Sequence, residues 1–112
     1  HNFMSNFIHI VRYEKNQYIN KHSDAIEDEE LESKNFQRIY TGMVYLNDNF
    51  EGGNTRFDEL SKIIKPEEGK MVVWKNTIDS TIYRDPMMDH SSEPIIEGRK
   101  YVLIKMFSNR IN

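Results

Sequence analysis

The sequence predicts an all-β domain, a double-stranded β-helix or jelly-roll barrel, and three features predict it. Short apolar or alternating runs recur along the 112 residues, each bounded by Gly, Pro, Asn or Asp. No segment carries a long helical stripe. The composition, 38% hydrophobic and 29% charged, suits one packed domain with one core and not a disordered chain.

The elements follow in order. Residues 7–13 (FIHIVRY) read as a strand, 14–16 as a turn and 17–21 as a second strand. The acidic stretch 24–33 (DAIEDEELES) has no core-forming stripe, and forms a short helix or a mobile loop. Its run from Glu27 to Glu32 is a solvated face or a lid. Residues 38–46 (RIYTGMVYL) carry the clearest strand pattern. Residues 47–53 (NDNFEGG) form a turn, where Gly52 and Gly53 give the backbone freedom. A short strand at 55–57, a turn at 66–69 (PEEG) and a strand at 71–75 (MVVWK) come next. Residues 76–89 form a long irregular connection, and 90–96 and 100–107 are the last two strands.

Both faces of the two longest strands are apolar. Alternation sets Ile39, Thr41, Met43 and Tyr45 against Tyr40, Val44 and Leu46, and Val102, Ile104 and Met106 against Tyr101, Leu103 and Phe107. The outer face of the sheet therefore calls for a cover. That cover is either an N-terminal helical segment preceding this chain or another subunit of a homo-oligomer. The chain begins at His1 and not at a methionine, which fits an upstream extension.

Composition removes several function classes. With no cysteine there are no disulfides, thiolate metal sites or cysteine nucleophiles, and a cytoplasmic location fits. A net charge of -3 with scattered lysines and arginines argues against a nucleic-acid partner. No run approaches the ~20 apolar residues of a membrane helix.

The residues that carry chemistry are His22, Asp24 and His90. His22 and Asp24 lie two apart, so a strand through them points both side chains to one face. His90 supplies a third ligand of the same class. Two histidines and one carboxylate on one face of an octahedral ion leave three positions open, which suits a non-haem Fe(II) that must take a chelating cosubstrate and O2. An HxD pattern also occurs without a site, with the histidine at a strand end and the aspartate capping a turn. Lys100 lies ten residues after His90 on the same strand face as Val102, Ile104 and Met106. If that face is interior, a lysine there needs an anionic partner, and a bound carboxylate is one. Otherwise it reaches to water from the strand mouth.

The ordered motifs RYEKNQYINKHSD, RIYTGMVYLND, EGGNTRF, KPEEG, MVVW and DHSSEPIIEGRKYVLIKMF resemble the prolyl 4-hydroxylase family of Fe(II)/2-oxoglutarate dioxygenases over about residues 8–108. The lysine ten after the distal histidine is nearer to the collagen and algal types than to the hypoxia-sensing type. The resemblance implies that His22, Asp24 and His90 are the iron ligands and that Lys100, helped by Thr55, binds the C5 carboxylate of 2-oxoglutarate. It also implies that Tyr13 and Tyr45 contact the cosubstrate and that Arg38 lies near the substrate groove. For Tyr45 and Arg38, barrel packing and a surface strand charge are equal alternatives. The resemblance further implies O2 as the oxidant, ascorbate as an auxiliary reductant, and release of succinate and CO2 as a C–H bond is hydroxylated.

The sequence departs from the family pattern at four places. Asn16 replaces a turn glycine, and Asn54 a glutamate. Ile19 and Met106 stand where aromatics that hold a proline-containing peptide are common. The expected substrate is a peptide or protein prolyl residue, with a free amino acid or other small molecule as the alternative. A non-enzymatic cupin-like binding domain is the reading left if metal and cosubstrate do not bind.

Overall fold

The computed structural model describes residues 3–111. Ten strands, numbered in chain order, make up most of it. They are β1 (Phe3–Tyr13), β2 (Ile19–His22), β3 (Phe36–Tyr45), β4 (Glu51–Gly52), β5 (Thr55–Phe57), β6 (Lys62–Ile64), β7 (Met71–Lys75), β8 (His90–Ser92), β9 (Ile95–Glu97) and β10 (Lys100–Arg110). The helical content is one turn, α1 (Leu31–Lys34), and three short 3-10 segments.

The strands form a larger antiparallel sheet in the order β1-β10-β3-β7 and a smaller one in the order β2-β8-β5-β6, with the pair β4-β9 between successive connections. Their inner faces meet around Tyr13, Met43, Tyr45, Phe57, Trp74, Ile95 and Val102. This is the jelly roll that the sequence predicts. Alternation decides which residues enter: Thr41, Met43 and Tyr45 are buried on β3, while Tyr40 and Leu46 are exposed. The register puts Met43 beside Ile104 and Tyr45 beside Val102, so neighbouring strands contribute to the same inner layers.

The outer face of the larger sheet is bare. Ile10 pairs with Leu103, Leu103 with Val44 and Val44 with Met71, and Ile10 and Met71 are 67% and 62% exposed. Val73, Tyr40 and Phe107 extend the same apolar face. The outer face is thus apolar among the described residues, as the two-sided pattern predicts.

Several boundaries differ from those expected. The single strand expected at 90–96 is two, because Pro94 has no N–H to continue a ladder. β8 joins β2 and β5, whereas β9 joins β4. The turn at 47–53 includes the two residues of β4, which pair with β9. β6 was not anticipated: its residues are largely exposed, so it lacks a buried face to impose alternation, and it is held by pairing with β5. The 24–33 stretch contains a 3-10 turn at Asp28–Glu30 and then α1. Contrary to its reading as a segment without core residues, Asp24, Ala25, Ile26 and Leu31 are buried. Glu27 to Glu30, Glu32 and Ser33 face water.

Gln37 explains how that segment is held. It is fully buried and its amide oxygen accepts from Ile26 N at 2.7 Å. Its amide nitrogen donates to Ile26 O at 3.1 Å and Ile82 O at 2.8 Å. One side chain therefore ties the segment after Asp24 to the long 76–89 connection.

Candidate active site

The end of β2 and the start of β8 lie side by side, with His22 and His90 in direct register. Asp24, two residues beyond His22, turns its carboxylate between their rings. Oδ1 of Asp24 lies 3.3 Å from His22 Nε2 and 3.5 Å from His90 Nε2. One ligand atom from each of the three residues falls within 4.8 Å of the others. Asp24 and His90 are buried, whereas the His22 side chain keeps 40% of its surface.

The imidazoles are fixed by their second nitrogens. His22 Nδ1 is 2.9 Å from Asn20 O, and His90 Nδ1 is 3.0 Å from Met88 O. A carbonyl only accepts, so each Nδ1 carries a proton and Nε2 is the nitrogen turned toward Asp24. Three acceptor atoms converge there, which is repulsive unless a cation, a metal ion or a proton on an Nε2, lies among them. A metal ion meets that need, and a backbone carbonyl behind each histidine is the usual outer support of a metal ligand. The residues present thus fit Fe(II), which suits a two-histidine, one-carboxylate set. His90 is further clamped by aromatic rings, with Trp74 at 4.8 Å and Phe57 at 5.3 Å between centroids.

Electrostatics agree with an anionic Asp24. Burial alone would raise its pKa, but hydrogen bonds to His22, His90 and Thr41 hold it well below the usual carboxylate range. The contact with Asp24 in turn raises the pKa of His22.

A cavity of about 120 Å³ opens beside the triad, and Lys100 closes its inner side. Lys100 is only 1% exposed. Nζ donates to Gly53 O at 3.0 Å and to Ser92 Oγ at 2.7 Å, and lies 4.2 Å from the centre of the Tyr13 ring. Those partners are neutral, and among the described residues no carboxylate forms an ion pair with it. Burial accordingly pushes its pKa down to about 8. A buried ammonium whose hydrogen bonds all go to neutral groups, and whose burial the Glu93 charge offsets only in part, is suited to receive an anion. Gly53 makes this approach possible. Its φ is +72°, and a Cβ there would lie 2.7 Å from Ile95 Cδ1 and 3.2 Å from Lys100 Cδ.

Tyr13 and Thr55 line the same cavity. Tyr45 does not; its hydroxyl lies 2.7 Å from Thr55 Oγ1, behind the cavity wall. Arg38 also lies outside the lining, with its guanidinium carbon 6.0 Å from the centre of the Phe36 ring. Ile19 and Met106 both face the cavity, as do Ile104 and Trp74. Sequence reasoning missed Ser92, Thr41 and Asn76. A usable signal existed for Thr41, a hydroxyl on a strand face otherwise occupied by Ile39, Met43 and Tyr45. None existed for Asn76, 35 residues from Thr41, or for Ser92, which sits on a different strand from Lys100, eight residues on.

The cavity, with three converging acceptors at one side and a buried ammonium at the other, defines a metal-dependent site for a small acid. Comparison with known proteins places the chain. The profile of the 2OG-Fe(II) oxygenase superfamily matches residues 8–108, and the chain belongs to that family. The family uses Fe(II) and 2-oxoglutarate with O2. A candidate prolyl 4-hydroxylase of Acanthamoeba polyphaga mimivirus is 32% identical over 108 residues, covering 92% of this chain and 45% of that protein. Prolyl 4-hydroxylase 1 of Arabidopsis thaliana is 30% identical, covering 88% of this chain and 39% of that protein. The 2-oxoglutarate complex of a viral collagen prolyl hydroxylase from Paramecium bursaria Chlorella virus-1 superposes with a TM-score of 0.87 at 25% identity, covering 96% of this chain and 60% of that one. The chain thus spans less than half the length of these two curated relatives.

Proposed function

We propose that this chain is the catalytic core of a prolyl 4-hydroxylase-like dioxygenase acting on a peptide or protein. The observation that carries the reading is the pairing, in one cavity, of the acceptor triad with the buried Lys100 ammonium. In this reading His22, Asp24 and His90 hold Fe(II). Lys100 receives the far carboxylate of 2-oxoglutarate by a charge-assisted hydrogen bond, and Thr55 adds a hydroxyl. Tyr13 borders the same end, and Tyr45 orients Thr55 from behind. Bound Fe(II) supplies O2 activation, which couples decarboxylation of 2-oxoglutarate to succinate and CO2 with hydroxylation of a substrate C–H bond.

The protein's own contribution is positional. The Met88 carbonyl and the flanking Phe57 and Trp74 rings keep the His90 ring from turning, and the apolar wall of Ile19, Ile104, Met106 and Trp74 limits water around the reacting groups. Proline as the target rests on the relatives' names. Ile19 and Met106 on the cavity wall give a proline ring aliphatic and not aromatic contacts, which favours a small-molecule substrate as the second reading. Arg38, its guanidinium over the Phe36 ring outside the cavity, remains the candidate contact for a substrate groove. The bare outer face of the larger sheet is where a helical cover or a second copy would seat.

An anaerobic absorption titration with Fe(II) and then 2-oxoglutarate tests the core of this reading. The expected result is a visible metal-to-ligand charge-transfer band that disappears in His90→Ala. A folded protein without the band refutes it. Product analysis with a proline-rich peptide against free amino acids then separates the two substrate readings.

A further inference from the structure

We infer that Thr41 and Asn76 are positioning residues that hold Asp24 to metal ligation through one oxygen. Asp24 uses its two carboxylate oxygens differently. Oδ1 faces the Nε2 atoms of His22 and His90 at 3.3 and 3.5 Å. Oδ2 points away from them and accepts a hydrogen bond from Thr41 Oγ1 at 2.8 Å. Thr41 has one hydroxyl proton, and its direction is set from the other side, because Asn76 Nδ2 donates to Thr41 Oγ1 at 2.9 Å. The donors run in one sense, from Asn76 to Thr41 to Asp24 Oδ2.

The chain of donors is rigid and dry. Thr41 and Asn76 are each 1% exposed, so no solvent competes for these bonds. Thr41 sits mid-strand on β3, opposite Trp74 of β7, and a β-branched side chain there has little rotamer freedom. Asn76 is fixed at its backbone, donating to Ile39 O at 2.7 Å and accepting from Asp85 N at 2.9 Å.

The consequence concerns open coordination positions. A carboxylate that swings to ligate through both oxygens occupies one more position, which the cosubstrate or O2 needs. With Oδ2 engaged by Thr41, that swing would break a buried hydrogen bond and leave the hydroxyl proton without an acceptor. This inference rests on the triad being the metal ligands, and its test is arranged to separate the two.

The test is an equilibrium titration of the metal-free protein with Co(II), read by ligand-field absorption, alongside a thermal melt of each metal-free variant. Thr41→Val is near-isosteric and removes only the donor. It is expected to bind Co(II) about 10- to 100-fold more weakly, as losses of outer-shell partners do, with a changed band intensity reporting changed coordination number. Thr41→Ser keeps the hydroxyl and should restore affinity and spectrum. Asn76→Ala leaves Asp24 and Thr41 intact but frees the hydroxyl, and should shift affinity and spectrum in the same direction by less. The spectral readout is one that a purely structural role would not move. If Thr41→Val and Asn76→Ala match the parent in affinity and spectrum while His90→Ala loses Co(II), the positioning role is overturned and the metal site stands. If His90→Ala binds Co(II) like the parent, the metal assignment falls and the inference with it.

Discussion

Replacing Lys100 by methionine isolates the anion-binding half of the site. The side chain is nearly the same length, so the packing against Ile95 and Gly53 is preserved and the charge alone is lost. In the parent, Nζ is 1% exposed at the residue level and held by one carbonyl, one hydroxyl and the Tyr13 ring. A charge-assisted hydrogen bond to a carboxylate contributes ~1.5–3 kcal/mol, so Lys100→Met should weaken 2-oxoglutarate binding by about 10- to 150-fold. The pH dependence gives an independent check. Burial lowers the Lys100 pKa to about 8 in the ligand-free protein, while a bound carboxylate favours the ammonium. Affinity should then fall as pH rises through about 8, to roughly one tenth of its neutral value at pH 9, and Lys100→Met should lack that slope. The effect on stability has the opposite sign. The unfolded lysine keeps its proton up to its ordinary pKa of 10.5. Between about 8 and that value the unfolded chain binds more protons, so ligand-free stability should rise with pH. The slope is best read below pH 10, before the tyrosines Tyr13 and Tyr45, whose pKa values burial raises, enter. Calorimetric titration of 2-oxoglutarate into the metal-loaded, anaerobic protein at several pH values measures the affinity. An unchanged dissociation constant in Lys100→Met would refute the role of Lys100 as anchor.

Other expectations follow from the same geometry. His22→Ala should abolish turnover while lowering the metal-free melting temperature less than His90→Ala does, since the His22 side chain is 40% exposed and its ring contact is with His90; retained succinate production would remove it from the ligand set. His90→Ala should also abolish turnover but cost about 1–3 kcal/mol in denaturant unfolding, because it leaves a void between Phe57 and Trp74. Tyr45→Phe deprives the buried Thr55 hydroxyl of its partner and should cost about 1–2 kcal/mol with a weaker affinity for 2-oxoglutarate; identical binding curves would place Thr55 outside the cosubstrate contacts. Gln37→Leu should leave the Ile26 amide and the Ile82 carbonyl unpaired, losing about 2–4 kcal/mol and exposing the Ile26 N–H to faster hydrogen exchange than in the parent.

The ligand triad and the lysine were legible in the chain because each needs only a local rule. The spacing pointed to His22 and Asp24 as a pair, although β2 ends at His22 and Asp24 reaches the site from the bend that follows instead of from the strand face; Lys100 shares the period-2 face of Val102, Ile104 and Met106, which the register then places indoors. The same period assigned the inner and outer residues of β3 and β10, and with them the bare apolar face. Most strands were legible, β2 among them although its residues are exposed; the reading failed at β4, two residues inside an expected turn, at β6, where pairing alone holds an exposed edge, and at residues 90–96, where Pro94 divides one apparent run between two sheets.

Other features depend on contacts that no local pattern encodes. Thr41 meets Asp24 across 17 residues and Asn76 across 35, and Lys100 reaches Gly53 across 47. Gln37 binds two segments that the sequence presents as loops. Tyr45 proved to stand behind Thr55, and Arg38 to lie outside the cavity, although both were assigned by position in a motif. Periodicity reports which face of an element a residue occupies. Which side chain it meets there is decided by the packing of the two sheets against each other, because a buried hydrogen bond is directional and forms only between groups that tertiary structure brings within 3 Å or so. The sequence by itself therefore determined the fold class, the metal-type triad and the buried lysine, and the tertiary structure alone decided how each is oriented and held.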